Sequence, residues 1–283
     1  MGQLLIGLIN GSFYALLSLG LAVIFGLLNI INFAHGAFYM MGAFGAYLLL
    51  NRLGLNYWWA LLLSPVMIGT LGVVIERTLL KRLYQFDHLY GLLLTFGLAL
   101  IIQGLFRNEF GSSGLPYAIP PQLSGGQNLG FMFLPNYRAW VIVASLVICL
   151  LTWFVIEHTR LGSYLRAATE NPQLVQAFGV NVPRMITLTF GFGVGLAALA
   201  GVMAAPIYQV GPLMGADLII VVFAVVVIGG MGSIMGAIVT GFGLGLIEGL
   251  TKVFYPEAST TVIFVIMTIV LLIRPAGLFG AVK

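Results

Sequence analysis

Charge is the property that this chain has least of. Asp, Glu, Lys and Arg make up only 7% of its 283 residues, apolar residues make up 60%, and mean hydropathy is +1.09. Soluble domains carry about 25% charged residues, so this composition excludes that class and indicates an integral membrane protein. The net charge of +4 comes from basic residues near the ends of apolar segments and is not a nucleic-acid-binding signature.

Residues for covalent and catalytic chemistry are also scarce. The single cysteine, Cys149, excludes an intrachain disulfide. No Ser/His/Asp arrangement, no cluster with metal-ligand spacing and no pair of carboxylates in a cleft is recognisable, so we predict no catalytic residue and no metal site. The sequence contains no Gly-Lys dipeptide and therefore no phosphate-binding loop of the GxxxxGK[ST] type. If ATP drives this protein, another chain must hydrolyse it.

Long apolar segments are abundant. They lie at roughly 4–28, 30–50, 57–80, 89–106, 138–157, 184–206, 217–230, 233–250 and 258–274. Because hydrocarbon offers no partners to backbone groups, such segments must be helical. The sequence therefore predicts an all-α, polytopic membrane protein of about 8–10 spans, with broken or re-entrant helices in the glycine-rich stretches. No basic patch or cleavage site marks the first segment as a signal peptide, so we expect a permanent span.

The basic residues predict an orientation. Eight of them fall on one side of the predicted spans and four on the other, which places the segment 158–183 and the C-terminus in the cytoplasm. We expect a single multi-pass transmembrane domain over 1–283. The loop 107–137 then lies outside. It is rich in Gly, Pro and Ser, so we expect irregular structure that is either a simple connector or a landing surface for an external protein.

Two short patterns recur along the chain. LTFG occurs at Leu94–Gly97 and Leu188–Gly191, and the spacing of Gly36, Gly42 and Ala43 returns in Gly230, Gly236 and Ala237. Glycine-interrupted segments in corresponding halves are typical of transporters built from two repeats. Such short matches also arise by chance in an apolar, glycine-rich chain, so they support two weakly related repeats without establishing them.

Polar residues within the apolar segments are candidates for a translocation path. The most polar patch, in GLLNIINFAHG, and two further amides supply them: Asn10, Asn29, Asn32, His35 and Gln103. Polar groups at this depth need partners or a hydrated cavity. The patch either forms hydrogen bonds between helices at a break near Asn29–Asn32 or lines the path. Asp217 and Glu248 lie near span ends, where we expect them to be solvated.

The longest polar run, 158–184, contains the start and stop residues of a short helix. Asn171 can cap it, Pro172 fits its first position, and Gly179 fits the left-handed stop after its end. The predicted helix, 172–178, carries three apolar residues at one-face spacing: Leu174, Val175 and Phe178. It lies either on the lipid surface or in a groove of another protein. Its polar positions carry no charge, and so short a helix needs packing, which favours the groove.

Several segments together resemble the permease subunits of branched-chain amino acid ABC importers, especially the H-type permease. They are NGSFYAL (10–16), GLLNIINFAHGAFYMMGA (26–43), RAATENPQLVQAFGVNV (166–182), VVIGGMGSIMGA (226–237) and RPAGLFG (274–280). In that family the region 166–182 matches the cytoplasmic segment that docks on the ATPase. The resemblance thus assigns coupling to Arg166, Glu170, Asn171, Leu174, Val175, Phe178 and Gly179.

The resemblance also implies partners and cargo. It implies a second, M-type permease, two cytoplasmic ATPase subunits that carry ATP and Mg²⁺, a periplasmic substrate-binding protein and surrounding lipid, with no cofactor on this chain. Branched-chain amino acids are the leading substrate. Other amino acids, urea, short amides and aromatic carboxylates remain alternatives, because specificity in such systems rests largely on the binding protein.

Three other functions compete with this one. A secondary transporter would carry ion-coupling carboxylates deep in its spans, whereas the acids here fall in loops or near span ends. A channel needs a ring of residues that selects the ion, but it does not need a short cytoplasmic helix for docking on a partner, such as the predicted helix 172–178. A membrane-embedded enzyme is disfavoured by the missing catalytic groups.

Overall fold

In the computed structural model, the described residues are 2–28, 31–128, 130 and 132–280. They form eleven α-helices and one small hairpin. The helices are α1 (Gly2–Leu28), α2 (His35–Leu53), α3 (Tyr57–Thr78), α4 (His88–Phe110), α5 (Asn136–His158), α6 (Arg160–Glu170), α7 (Pro172–Ala177), α8 (Val182–Tyr208), α9 (Ala216–Gly229), α10 (Ile234–Phe254) and α11 (Thr261–Ile273). Short 3₁₀ turns occupy Leu80–Leu83, Pro121–Leu123 and Pro256–Ala258. The predicted all-α class is confirmed.

The number of helices able to cross a membrane depends on length and hydropathy. Six are long and apolar enough, namely α1, α3, α4, α5, α8 and α10, whereas α9 and α11 are shorter apolar helices. The described residues thus contain six clear candidates, and the predicted 8–10 spans require that at least two of α9, α11 and the 19-residue α2 also cross. The helix α2 begins at His35, after the non-helical residues 31–34.

The helix α1 is the centre of the bundle. It packs against α8, α9 and α10, and 83% of its most apolar window is buried, compared with 17% for α4. The helices α2 and α3 pack on the other side of α8, and α11 packs on α9. The apolar sides of α3, α4 and α5 stay exposed, as expected of surfaces that face lipid or another membrane protein.

Glycine allows α1 to approach its neighbours closely. A side chain at Gly20 would lie 2.6 Å from the carbonyl oxygen of Gly193 on α8, and one at Gly193 would lie 2.8 Å from that of Gly20. Along α10, Gly245 faces the backbone of Gly11. In lipid, close van der Waals packing and not the hydrophobic effect holds helices together, so these contacts define the core.

The two LTFG segments lie in different surroundings. Gly97 on α4 faces open space, whereas a side chain at Gly191 on α8 would meet Val73. The two copies therefore do not occupy equivalent packing positions.

Three segments that carry the family resemblance meet at the end of α9. Gly230 and Gly232 have φ of 104° and 90°, which lets the chain turn sharply into α10. Gly26 at the end of α1 lies against Gly232. The backbone N–H groups of Leu278 and Phe279 donate to the last carbonyls of α9 at 2.8 and 3.0 Å. The terminal segment thus satisfies acceptors that a helix end leaves unpaired.

The loop between α4 and α5 is more regular than predicted. It contains antiparallel strands β1 (Gly126–Asn128) and β2 (Phe133–Pro135). Leu115 and Val210 exchange two backbone hydrogen bonds of 2.8 Å, which fix the loop to the segment after α8. The expectation of irregular structure is wrong for these parts. The hairpin pairs residues within ten positions of each other, whereas the partner of Leu115 lies far away in sequence.

We predict that adding one methyl group at the α1–α8 crossing destabilises the fold. The variant Gly20→Ala forces Cβ against the carbonyl oxygen of Gly193, and such overpacking costs about 1–3 kcal/mol. The matched control is Gly97→Ala, where the added atom meets open space and alanine improves helix propensity. Thermal unfolding of the purified protein in detergent measures both. Equal melting temperatures for the two variants would contradict the packing described above.

Candidate functional site

A non-helical segment separates α1 from α2 within the bundle. Residues 31–34 are not helical and end in a turn. The hydroxyl of Thr95 on α4 holds this segment by donating to the Ile31 carbonyl at 3.3 Å and accepting from the Phe33 N–H at 3.1 Å. The predicted helix break is confirmed. Such backbone is tolerated at membrane depth only when it is buried in protein or lines a hydrated cavity.

The break carries two buried polar side chains. Asn32 has no solvent exposure, and neither its amide nitrogen nor its oxygen has a hydrogen-bond partner among the described residues. His35 is equally buried. Its Nε2 lies 3.0 Å from the carbonyl oxygen of Leu17 in the middle of α1, whereas Nδ1 has no described partner. Asn29, the third member of the predicted patch, lies outside the described residues.

A separate polar cavity lies between α1, α2, α8 and α9, and none of residues 31–35 lines it. Its volume is about 300 Å³, the lower end of the range for small-molecule sites. The lining residues are Asn10, Phe13, Tyr14, Tyr39, Tyr208, Met214, Asp217 and Leu218. Asn10 is the only one of the four described path candidates that lines it.

A buried carboxylate organises the cavity wall. Glu248 on α10 is 4% exposed; it accepts a hydrogen bond from the Tyr14 hydroxyl at 2.7 Å and forms a 2.6 Å ion pair with Lys252. Asn10 extends the network, since its amide nitrogen lies 3.5 Å from Glu248 and its oxygen accepts from the Tyr208 hydroxyl at 2.7 Å. The expectation that Glu248 is solvated is wrong, because partners on other helices cover it.

A second buried carboxylate lies near the opposite end of the bundle. Glu76 on α3 is 1% exposed and accepts hydrogen bonds from Tyr84 at 2.7 Å and Thr187 at 2.6 Å. Burial and the neighbouring Glu76 raise the pKa of Tyr84 well above its ordinary value, so the phenol stays a donor. Glu76 thus ties the end of α3 to the start of α8. Since Glu76 and Glu248 are both buried, the positions of the acids do not argue against a secondary transporter.

Gln103 lies apart from these groups. It is half-buried on α4, the helix with the least buried apolar window among the six long ones. The cavity beside Asn10 does not include it. The structure therefore does not bring Gln103 together with the other candidates for the path.

The polar run after α5 forms two helices. The first, α6, was not predicted from the sequence. Arg166 fixes it to the end of α5 by donating to the Ile156 carbonyl at 3.0 Å and pairing with Glu157 at 3.1 Å. Glu170 is exposed at the end of α6. The predicted cap is confirmed for α7, where the Asn171 side chain accepts from the Leu174 N–H at 2.9 Å. Gly179 has the predicted left-handed conformation, with φ of 83°.

The three apolar residues of this segment do not share one face. Val175 is buried against the chain itself, whereas Leu174 is 54% and Phe178 is 79% exposed. The one-face prediction is therefore wrong for Val175 and holds for the other two, which lie four residues apart on one side. Val175 anchors α7, and Leu174 and Phe178 remain available to a partner.

Comparisons with known proteins agree with this architecture. Residues 3–272 match the family described as "Branched-chain amino acid transport system / permease component". The chain is 30% identical to the LivH permease of Escherichia coli (strain K12) over 98% of its own length and 94% of the relative's. It is 32% identical to the BraD permease of Pseudomonas aeruginosa over 98% of its own length and 95% of that relative's.

A second type of permease is also similar. The chain is 28% identical to the LivM permease of Escherichia coli (strain K12) over 94% of its own length and 67% of the relative's. No solved structure matches the chain. The family match over nearly the whole chain, on a bundle of apolar helices with an internal polar cavity, shows that this protein belongs to the permease components of branched-chain amino acid transport systems.

Proposed function

We propose that this chain is the H-type permease subunit of an ATP-driven importer and that α7 is its docking element for the ATPase. The observation that carries the proposal is the exposed pair of Leu174, on the six-residue helix α7, and Phe178, which caps its end. So short a helix is unstable in isolation, so its packing through Val175 must hold it in place. A rigid helix that presents two apolar side chains is suited to a protein groove.

A lipid surface explains the same segment less well. Helices that lie on membranes carry basic residues along their polar side, whereas the exposed polar residues of α7 are Gln173 and Gln176. Arg166, the nearest preceding base, is engaged by the end of α5. Burying Phe178 in a groove contributes roughly 1.5–3 kcal/mol, enough for one residue to decide whether a partner stays bound.

The proposed assembly contains five chains. Two ATPase subunits hold ATP and Mg²⁺, and an M-type permease pairs with this chain, as suggested by the similarity to both LivH and LivM. A periplasmic binding protein delivers the solute to the loop 107–137, which is ordered by its hairpin and its pairing with Val210. The excess of basic residues around α6 and α7 supports a cytoplasmic location of these helices and the C-terminus in a bacterial inner membrane.

The proposed path joins the polar cavity to the break along α2, since Tyr39 lines the cavity and lies one turn after His35. The cavity offers hydroxyl, amide and carboxylate groups to a small polar solute, and Asn32 and His35 supply further unpaired groups between α1 and α2. The relatives are named for branched-chain amino acids, which makes leucine, isoleucine and valine the first substrates to test. Gln103 would serve the path only through contacts made in the assembly.

We predict that Phe178→Asp uncouples transport from ATP hydrolysis. A carboxylate in place of the exposed ring cannot be buried in an apolar groove without a large desolvation cost. The variant should insert normally and bind the loaded binding protein, but it should release the ATPase subunits or lose substrate-stimulated hydrolysis. Co-purification and ATPase assays in proteoliposomes measure both properties.

A matched control for this experiment is Phe86→Asp. Phe86 is also exposed and follows the basic 3₁₀ turn after α3, outside the α6–α7 segment. We expect this variant to retain coupling. If Phe178→Asp keeps its ATPases and its stimulated hydrolysis, α7 is not the docking element.

We predict that Asn32→Leu reduces transport without reducing the stability of the protein. The amide of Asn32 is buried without a described partner, and an unsatisfied buried polar group costs about 1–3 kcal/mol. Replacing it with an apolar side chain of similar size should leave the melting temperature unchanged or raise it. Uptake of labelled leucine should nevertheless fall at least tenfold, because the path loses a polar group.

Asn51→Leu is the control for that change. Asn51 is exposed near the end of α2 and bonds only to the Tyr47 carbonyl. We expect normal uptake for this variant. A stable Asn32→Leu protein with unaltered uptake would show that the amide does not serve the path.

A further inference from the structure

A positively charged cleft lies between the end of α3 and the start of α8. Its volume is about 310 Å³. Arg77 at the end of α3, Lys81 in the following 3₁₀ turn and Arg184 in the first turn of α8 contribute cations to its lining. The cleft is far from the polar cavity, because the first turn of α8 lines the cleft and Tyr208 at the end of the same helix lines the cavity.

Among the described residues, the three cations have no acidic partner. The two salt bridges in the described part of the chain join Arg166 to Glu157 and Lys252 to Glu248, and neither involves the cleft. The nearest carboxylate, Glu76, accepts hydrogen bonds from Thr187 and Tyr84. A cleft lined by charges of one sign concentrates the potential and attracts counter-ions, so the cleft is suited to an anion.

The apolar side of the cleft indicates which kind of anion. Val73 and Leu188 complete the lining one turn further into α3 and α8, and Leu188 is 66% exposed. Val74, beside Val73, is also exposed. Cations therefore border an exposed apolar strip at the ends of two apolar helices. A molecule with an anionic head and a hydrocarbon tail fits both parts, whereas a free anion uses only the first.

We propose that this cleft binds the headgroup of an anionic membrane phospholipid. Arg77, Lys81 and Arg184 contact the phosphate, the Thr187 hydroxyl lies at the base, and one acyl chain follows Leu188. Basic pockets between membrane helices are established sites for anionic headgroups. The site requires only that the chain is embedded in a bilayer, and it lies where α3 and α8 are joined by Glu76. A bound lipid would strengthen that junction next to the proposed docking helix.

The test uses the purified permease in detergent and phosphatidylglycerol as the probe. Native mass spectrometry compares its retention with that of phosphatidylcholine of the same acyl chains. We expect selective retention of phosphatidylglycerol, and an affinity that falls about fivefold for each cation removed in Arg77→Gln, Lys81→Gln or Arg184→Gln. The matched control, Arg82→Gln, removes an exposed charge of the same turn that does not line the cleft. It should bind like the unmodified protein.

Three outcomes would overturn the proposal. Equal retention of the two lipids would show no headgroup selectivity. Competition by millimolar inorganic phosphate, with no dependence on acyl chains, would identify a site for a soluble anion. Normal lipid affinity in the cleft variants, together with loss of co-purifying ATPase, would assign the cations to a protein contact. If an arginine variant fails to fold, Lys81→Gln in the exposed turn gives the same readout.

Discussion

Close backbone contact between α1 and its neighbours α8 and α10 is the interaction on which the rest of the structure depends. Lipid gives helices no hydrophobic reason to associate, so packing without intervening side chains has to supply the attraction. The facing glycines Gly20 and Gly193 on α8, and Gly11 and Gly245 on α10, permit that approach. Because α1 is fixed on both sides, the polar groups around it are held in defined positions.

Buried polar groups also lie along α1 and beyond its end. Residues of α1 near Asn10 line the cavity together with Tyr208 at the end of α8, and the other end of α1 precedes the non-helical segment that carries Asn32. Glu248 is accommodated because Tyr14 donates a hydrogen bond to it and Lys252 compensates its charge. Asn32 and Nδ1 of His35 have no such partner among the described residues, which makes them better candidates for contact with a solute or water than for packing.

Local features of this fold were predictable from the sequence, and long-range partnerships were not. Apolar runs predicted nine helices, polar residues predicted the break near Asn32, and capping preferences placed both ends of α7. The burial of Glu248 was not predictable, because its donor Tyr14 lies 234 positions away. The prediction that Val175 shares one face with Leu174 and Phe178 was also wrong. Helical spacing identifies a face but does not say which of its residues the rest of the chain covers.

The central claim is that solute passes from the cavity beside Asn10 through the break at Asn32 when the ATPases act. The most direct measurement is labelling of single cysteines, Asn10→Cys and Asn32→Cys, by a water-soluble thiol reagent in the assembled transporter, with and without ATP. The buried Cys149 is first replaced with serine. We expect both positions to react and their reactivities to change in opposite directions when ATP is added. Cysteines that stay unreactive in both states, in a transporter that still works, would contradict the proposed path.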